Sequence, residues 1–172
     1  MAVVAPSTDP AGAAIDAQVA TIQGLITSAR NPAVLAQYQQ YLNQVQVEAV
    51  DHYMVTGWLN AAAILAAYPA PAWDSVGAAL TARVAFLQNL VNNAPAAPPG
   101  NADGYGGAGW VTVAQNYQQQ LYAAQIVLVE HIMSLPGGTT AATILANLTG
   151  SQSFPFEYSF NSVGFTDAWI DD

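Results

Sequence analysis

Residues 38–54 have the sequence YQQYLNQVQVEAVDHYM, and residues 117–133 have the related sequence YQQQLYAAQIVLVEHIM. Eight of the 17 aligned positions are identical at an offset of 79, and they include both histidines of the chain, which are therefore aligned with each other. An acid precedes each histidine, Asp51 in the first segment and Glu130 in the second. This pattern indicates an internal duplication, because a bias towards alanine and glutamine alone would not align the histidines.

Two further blocks extend the match in the same order along the chain. Residues 9–29 align with residues 74–94 at an offset of 65, and ten of these 21 positions are identical. Residues 61–66 (AAAILA) align with residues 141–146 (AATILA) at an offset of 80. Three collinear blocks in the same order are hard to produce by chance, so they favour a tandem duplication over low complexity.

The change of offset is explained by an insert in the second copy, residues 95–109 (PAAPPGNADGYGGAG), where the first copy has only a short turn. The sequence therefore predicts two helical units, residues 9–68 and residues 74–149, joined by a linker over residues 69–73. We expect three helices in each unit and one core that the two units share.

Local signals place the helices of the first unit. Asp9-Pro10 is a typical helix start, with aspartate as the N-cap and proline at the first helical position, and Asp74 has the corresponding place in the second unit. Apolar residues at three-and-four spacing predict a first helix that ends near Ala29 and a second over residues 32–56. Gly57 is typical of a helix end, and a third helix is predicted over residues 58–68, with a counterpart over residues 139–148.

The predicted fold class is therefore all-α. We expect a pseudo-twofold helical bundle of two antiparallel three-helix units, preceded by an extended arm over residues 1–8 and followed by an aromatic, extended tail over residues 150–172. The duplicated helical hairpins are similar to the ferritin-like architecture, but the ligand pattern of that family is not present. Its Glu and His lie three positions apart, and the positions three before the histidines are Ala49 and Leu128. No metal ligand is carried over from it.

The composition excludes several functions. Charged residues are 8% of the chain, against a usual level of about 25%, lysine is absent and the net charge is −9. Nucleic acid is not an expected partner, because phosphate binding needs a cationic face. No cysteine occurs, which excludes disulfides and thiolate metal sites.

Neither a membrane span nor a signal peptide is predicted. No uninterrupted apolar run approaches the roughly 18 residues that a span needs, and the first residues lack the charged and apolar regions of a secretory signal. The sequence leaves the compartment open between an assembled particle and the cytoplasm. A surface so poor in charge favours self-assembly, since ordinary soluble monomers keep more charge.

The tail contains the candidate interface residues. Aromatic side chains alternate with other residues over part of it, which is typical of an extended segment. Two interpretations stay open: the tail packs on its own bundle, or it docks on a neighbouring subunit or another protein. The aromatic residues concerned are Phe154, Phe156, Tyr158, Phe160, Phe165 and Trp169.

His52 and His131 are the candidate metal ligands. Both lie on the apolar stripe of a long helix, so we expect both to be largely buried. They could face each other across the pseudo-twofold axis, near Gln23 and Gln88, and bind a metal or share a proton. The alternative is a neutral core histidine that is hydrogen-bonded to a glutamine or a tyrosine.

The sequence contains no catalytic motif for a serine hydrolase, a P-loop enzyme or a dinucleotide-binding enzyme, and it predicts no cofactor. We predict a non-enzymatic structural subunit, such as a virion, filament or particle component, that associates with itself through its terminal arms and uncharged helix faces. One alternative is a small-ligand or metal-binding, ferritin-like bundle centred on His52 and His131. Another is an adaptor that binds a protein through an apolar groove.

Overall fold

The structure, a computed structural model, describes residues 9–95 and 113–148. Within these residues the chain forms helices and no strand, which confirms the all-α prediction. The predicted arm over residues 1–8, most of the predicted insert and the predicted tail over residues 150–172 lie outside the described residues. None of the described helices combines the length with the apolar character that crossing a bilayer requires. The helices are α1 (Pro10–Ser28), α2 (Pro32–Val55), α3 (Ala61–Ala67), α4 (Ser75–Asn92), α5 (Val113–Ser134) and α6 (Ala141–Leu148).

The first two helices begin at capping residues that are visible in the sequence. The Asp9 carboxylate accepts a hydrogen bond from the N–H of Gly12 at 2.9 Å, and the Asn31 side chain accepts one from the N–H of Ala33 at 2.9 Å. A proline follows each cap, at a position where a helix needs no N–H donor. These local interactions explain why the predicted starts of α1 and α2 are correct.

The third helices are shorter than the sequence predicts. A helix was expected over residues 58–68, whereas α3 spans Ala61–Ala67, and α6 likewise begins two residues later than expected. Gly57 has a φ of +82°, a left-handed conformation that ends α2 and turns the chain. The chain enters the next helix only at Asn60, whose side chain accepts a hydrogen bond from the N–H of Ala62.

The two long helices, α2 and α5, form the centre of the molecule. We call α1–α3 the first helix set and α4–α6 the second helix set. In the first set α1 packs on α2, and in the second set α4 packs on α5. The short third helices pack on the long helix of the other set, α3 on α5 and α6 on α2. Because α2 also contacts α5 directly, the two helix sets interlock.

The main core lies where α2, α3, α5 and α6 meet. Its central residues come from aligned positions of the two segments and are at most 2% exposed: Val50 and Val129, Ala61 and Ala141, and Ile64 and Ile144. Burying one valine or isoleucine side chain contributes about 1.5–3 kcal/mol. A smaller cluster of Leu87, Leu121 and Ala124 joins α4 to α5.

The central helices are buried on more faces than the sequence indicates. Val45, Ala49 and His52 share one stripe at three-and-four spacing along α2, and the two apolar members are buried. Val50, Tyr53 and Met54 lie off that stripe, yet each is at most 1% exposed. The reason is that α2 packs on α1 with one face and on α5 and α6 with others, so a single stripe does not describe it.

Tyr122 connects α5 to the end of α2. Its hydroxyl group donates a hydrogen bond to the backbone carbonyl of Met54, in the last turn of α2. The last carbonyls of a helix have no partner within it; the Met54 carbonyl accepts from the N–H of Gly57 at 3.2 Å, and the Tyr122 hydroxyl is a further donor to it. Burial raises the pKa of Tyr122, which keeps the hydroxyl protonated and able to donate.

We expect Tyr122→Phe to lower the free energy of unfolding by about 1 kcal/mol, the usual net value of one hydrogen bond. Chemical denaturation of the purified chain measures this. The control is Tyr41→Phe, since Tyr41 is 58% exposed on α2 and its hydroxyl is expected to contribute little. Equal stability of the two variants would contradict a stabilising role for the Tyr122 hydroxyl.

Candidate functional site

Each histidine of the chain is paired with the aspartate that precedes an outer helix. His52 Nε2 lies 2.7 Å from Asp9 Oδ2, and His131 Nε2 lies 2.7 Å from Asp74 Oδ2. In each pair the imidazole N–H donates to the carboxylate, which is acceptor-only when ionised. The pair becomes an ion pair when the imidazole is protonated.

Helix geometry explains why these side chains meet. α1 is joined to α2 by a short turn, so the start of α1 lies beside the end of α2, and His52 is in the last turn of that helix. His131 is likewise in the last turn of α5, against which α4 packs. The positive end of a helix dipole favours a carboxylate, and the negative end favours an imidazolium. Both members of each pair therefore occupy favourable positions.

The pairs are largely buried, and the pKa values of both aspartates are lowered. The side chains of His52 and His131 are 22% and 19% exposed, and those of their partners are 12% and 6% exposed. Burial acts to raise the pKa of Asp9, but the N–H of Gly12 and the His52 imidazole lower it further than burial raises it. For Asp74, the backbone N–H of Gly77 lowers the pKa most strongly, burial opposes it, and His131 lowers it again.

The sequence did not predict these partners. Glutamine or tyrosine was expected beside each imidazole, and that expectation is wrong, because aspartate fills the position. Gln23 and Gln88 are exposed, and Gln88 donates to Asn92 instead. Gln23 lies 14 residues after Asp9, about 21 Å along α1, whereas His52 packs at the start of that helix.

A metal-binding role for His52 and His131 stays a prediction from the sequence. Among the described residues, no three or more histidine, cysteine, aspartate or glutamate side chains are grouped so that they could hold an ion. Thr56 donates to the backbone carbonyl of His52, and Ser134 donates to that of His131. The geometry supports a structural role for both imidazoles, which tie the start of an outer helix to the end of a central one.

A second polar contact strengthens the first of the two pairs. The hydroxyl of Tyr53 donates to Asp16 Oδ1 at 2.8 Å, so neighbouring residues of α2 hold α1 at two points, Asp9 and Asp16. Burial and this hydrogen bond raise the pKa of Tyr53. The aligned positions in the second helix set are Ile132 and Thr81, which cannot form the same bond.

The sequence does contain a signal that points to the paired aspartates. Asp9 and Asp74 are identical in the aligned blocks, just as His52 and His131 are. Helix capping explains an aspartate at these positions, but asparagine, serine or threonine also caps well. The His–Asp contact explains why both the aspartate and the histidine are the same in the two segments.

We expect Gly77→Ala to destabilise the protein by about 1–3 kcal/mol, the usual range for overpacking, although alanine favours helix more than glycine does. A Cβ at Gly77 would collide with the Asp74 carboxylate, which His131 holds in place, and would lie 2.8 Å from the Cβ of Ala70. Thermal unfolding measures the effect.

The matched control is Gly24→Ala, in the middle of α1, where no heavy atom lies within 4 Å of an added Cβ. That change should stabilise the protein by about 0.5–1 kcal/mol. If both variants were stabilised, the close approach of Gly77 to the Asp74 carboxylate would be disproved.

We also expect the His–Asp pairs to make the protein sensitive to strong acid. The pKa of each aspartate is lowered on folding, so the stabilisation is fully present above the ordinary value of 3.8 and is lost as pH falls below it. Asp74→Asn keeps a side chain of nearly the same shape and removes the charge, so its stability should depend less on acid than that of the wild type.

Urea unfolding between about pH 2 and pH 6 gives the comparison. The control for the loss of one negative charge is Glu48→Gln, because Glu48 is an exposed residue. Parallel curves for the wild type and for Asp74→Asn would show that the pair does not contribute the effect.

Comparison with protein-family models, with curated proteins and with solved structures finds no match to this chain. A function therefore has to be inferred from its own residues and their geometry.

Proposed function

We propose that this chain is a non-enzymatic structural subunit that associates with copies of itself, as a component of a virion, filament or similar particle. The observation that supports the proposal is the exposure of large apolar side chains on, and in the turns between, helices that carry very little charge. Trp73 is 68% exposed, Phe86 is 61% exposed and Val55 is 60% exposed. Single exposed apolar residues are normal, but two bulky aromatic side chains at this level suit an interface.

The exposed apolar side chains are found on both helix sets. Their distribution favours contacts on more than one side of the subunit, as an extended assembly needs. Interface centres are enriched in tryptophan, tyrosine and phenylalanine, and four of the nine residues are of these types. The described residues concerned are Leu25, Tyr41, Val55, Trp58, Trp73, Val76, Phe86, Val113 and Val127.

The distribution of charge also favours self-association. α2 has no charged residue before Glu48, and α5 has none before Glu130. Exposed positions in these stretches are mostly glutamine, asparagine and alanine. Two copies of a chain with net charge −9 repel each other over most of their surface, so contacts along uncharged faces meet the least repulsion.

We further infer that the two helix sets arose by tandem duplication and are related by a pseudo-twofold axis. Three observations favour this. The paired positions Asp9–His52 and Asp74–His131 are aligned in sequence, each third helix packs on the opposite long helix, and aligned residues such as Val50 and Val129 share one core. A subunit with two similar halves can present similar surfaces twice, which suits repeated contacts in an assembly.

The terminal segments belong to the same proposal. The aromatic tail, with Phe156, Tyr158, Phe160 and Trp169 as its main anchors, would dock on a neighbouring copy. Apolar area removed from water contributes about 25 cal/mol per Å2, so several aromatic anchors can hold a subunit. These residues lie outside the described part of the chain, and their role rests on the sequence.

We expect the full chain to form oligomers that light scattering detects during size-exclusion chromatography. Trp73→Ser combined with Phe86→Ser should lower the oligomer mass and leave the melting temperature nearly unchanged, because both side chains are exposed. Removal of residues 150–172 should lower the number of subunits in the oligomer as well. A monomer at high concentration, with the tail present, would contradict the proposal.

The control for the double variant is Gln18→Ser, an exposed polar position on α1, which should leave the oligomer mass unchanged. A double variant that lost stability as well as mass would place Trp73 and Phe86 in the fold and not in an interface.

A further inference from the structure

The outward side of α4 carries bulky apolar side chains around an arginine. Four of its residues follow one another at spacings of three or four and so share one face of the helix: Val76, Ala79, Arg83 and Phe86. All four are exposed. Trp73, in the turn just before α4, is exposed as well. We call these five residues the α4 face.

The aligned face of α1 has a different character. At an offset of 65, the four helical positions of the α4 face correspond to Ala11, Ala14, Gln18 and Thr21, which are exposed but small or uncharged and polar. Both outer helices pack on a long helix, and an aspartate at the start of each binds a histidine. The features that the two helices share therefore do not account for the bulky apolar residues and the arginine of α4.

The α4 face also has a charge that is rare in this chain. Arg83 is one of two arginines, lysine is absent and the net charge is −9. α4 contains no acid, and Arg83 forms no ion pair within the ranges that the structure describes. The other arginine, Arg30, lies between α1 and α2 and has no aromatic neighbour in the sequence. A guanidinium group binds carboxylates and stacks on aromatic rings, so the α4 face suits a segment that is both acidic and aromatic.

Residues 150–172 have this composition. They combine six aromatic residues with four acids, and they contain no lysine, arginine or histidine. Most of an acidic subunit repels such a segment, whereas the α4 face attracts it. Length is not limiting, because 23 extended residues reach up to roughly 75 Å and the 18 residues of α4 span about 27 Å. The segment lies outside the described residues, and its composition is read from the sequence.

We propose that the α4 face binds residues 150–172 of a neighbouring copy of the chain. Arg83 pairs with a carboxylate of that segment, and Trp73 and Phe86 contact its aromatic side chains. The inference rests on the proposed self-association and adds which two surfaces meet. The segment follows α6, which packs on α2, whereas the face belongs to α4, which packs on α5. Two different surfaces that join head to tail generate rings or filaments.

Photo-crosslinking of the full chain tests which surfaces meet. The chain has no cysteine, so Ser159→Cys provides a single attachment point for a benzophenone within the segment. The labelled chain is mixed with an excess of isotopically heavy wild type, and mass spectrometry locates the crosslinks. We expect crosslinks to residues 73–86 of the heavy copies and none to the aligned face of α1.

Crosslinks confined to the labelled chain itself would overturn the proposal, as would crosslinks to other surfaces or the absence of any crosslink. Light scattering on the same mixture separates this failure from a failure of the proposed function. Oligomers without a crosslink to the α4 face would leave self-association standing and overturn only the docking site, whereas a monomer would contradict both.

The charge of the α4 face gives the second test. Arg83→Gln introduces the residue that α1 has at the aligned position, Gln18. We expect the crosslink yield to fall roughly two- to fivefold, the range of an exposed ion pair, and the melting temperature to stay nearly unchanged, because Arg83 is exposed. The matched control is Arg30→Gln, which changes the net charge equally and should leave the yield unchanged. An equal loss in the two variants would indicate a general effect of net charge and contradict docking at Arg83.

Discussion

The structure depends on the contact between α2 and α5 around Val50 and Val129. α1 packs on α2 and α4 packs on α5, but neither helix pair supplies the main core alone. The fully buried side chains gather where the two long helices meet, and α3 and α6 cover that contact from opposite sets. Because the hydrophobic effect scales with the apolar area removed from water, this junction is where most of the stabilisation arises.

The outer helices are attached to this centre by polar contacts as well as by packing. Asp9 caps α1 by accepting from the N–H of Gly12, and Asp74 occupies the N-cap position of α4; each also binds a histidine in the last turn of a central helix. The residue at the start of each outer helix thus also fixes the position of that helix. The arrangement needs a close approach at Gly77, where a side chain would meet the carboxylate.

Local features of the fold could be predicted from the sequence, and long-range ones could not. Asp9, Asn31 and Gly57 determine helix ends through contacts within a few residues. The His–Asp pairs join residues 43 and 57 positions apart, so they depend on how one helix lies along another. Periodicity assigns one buried face to a helix, and it therefore missed Tyr53 and Met54, which face the other helices of the core.

The few charges of this chain are distributed according to what the fold can satisfy. Asp9 and Asp74 have imidazole and backbone donors, and their pKa values fall. In the part of the chain that the structure describes, Oδ1 of Asp51 has no donor, and burial together with nearby acids raises its pKa. Acids of both kinds lie near the ends of α2 and α5, so the earlier turns of those helices remain uncharged. If copies of the chain associate along those turns, as we propose, these acids stay within each subunit and the contact surface along the turns needs no charge pairing. At this contact salt would then act on assembly by screening the general repulsion between subunits, and not by breaking charge pairs.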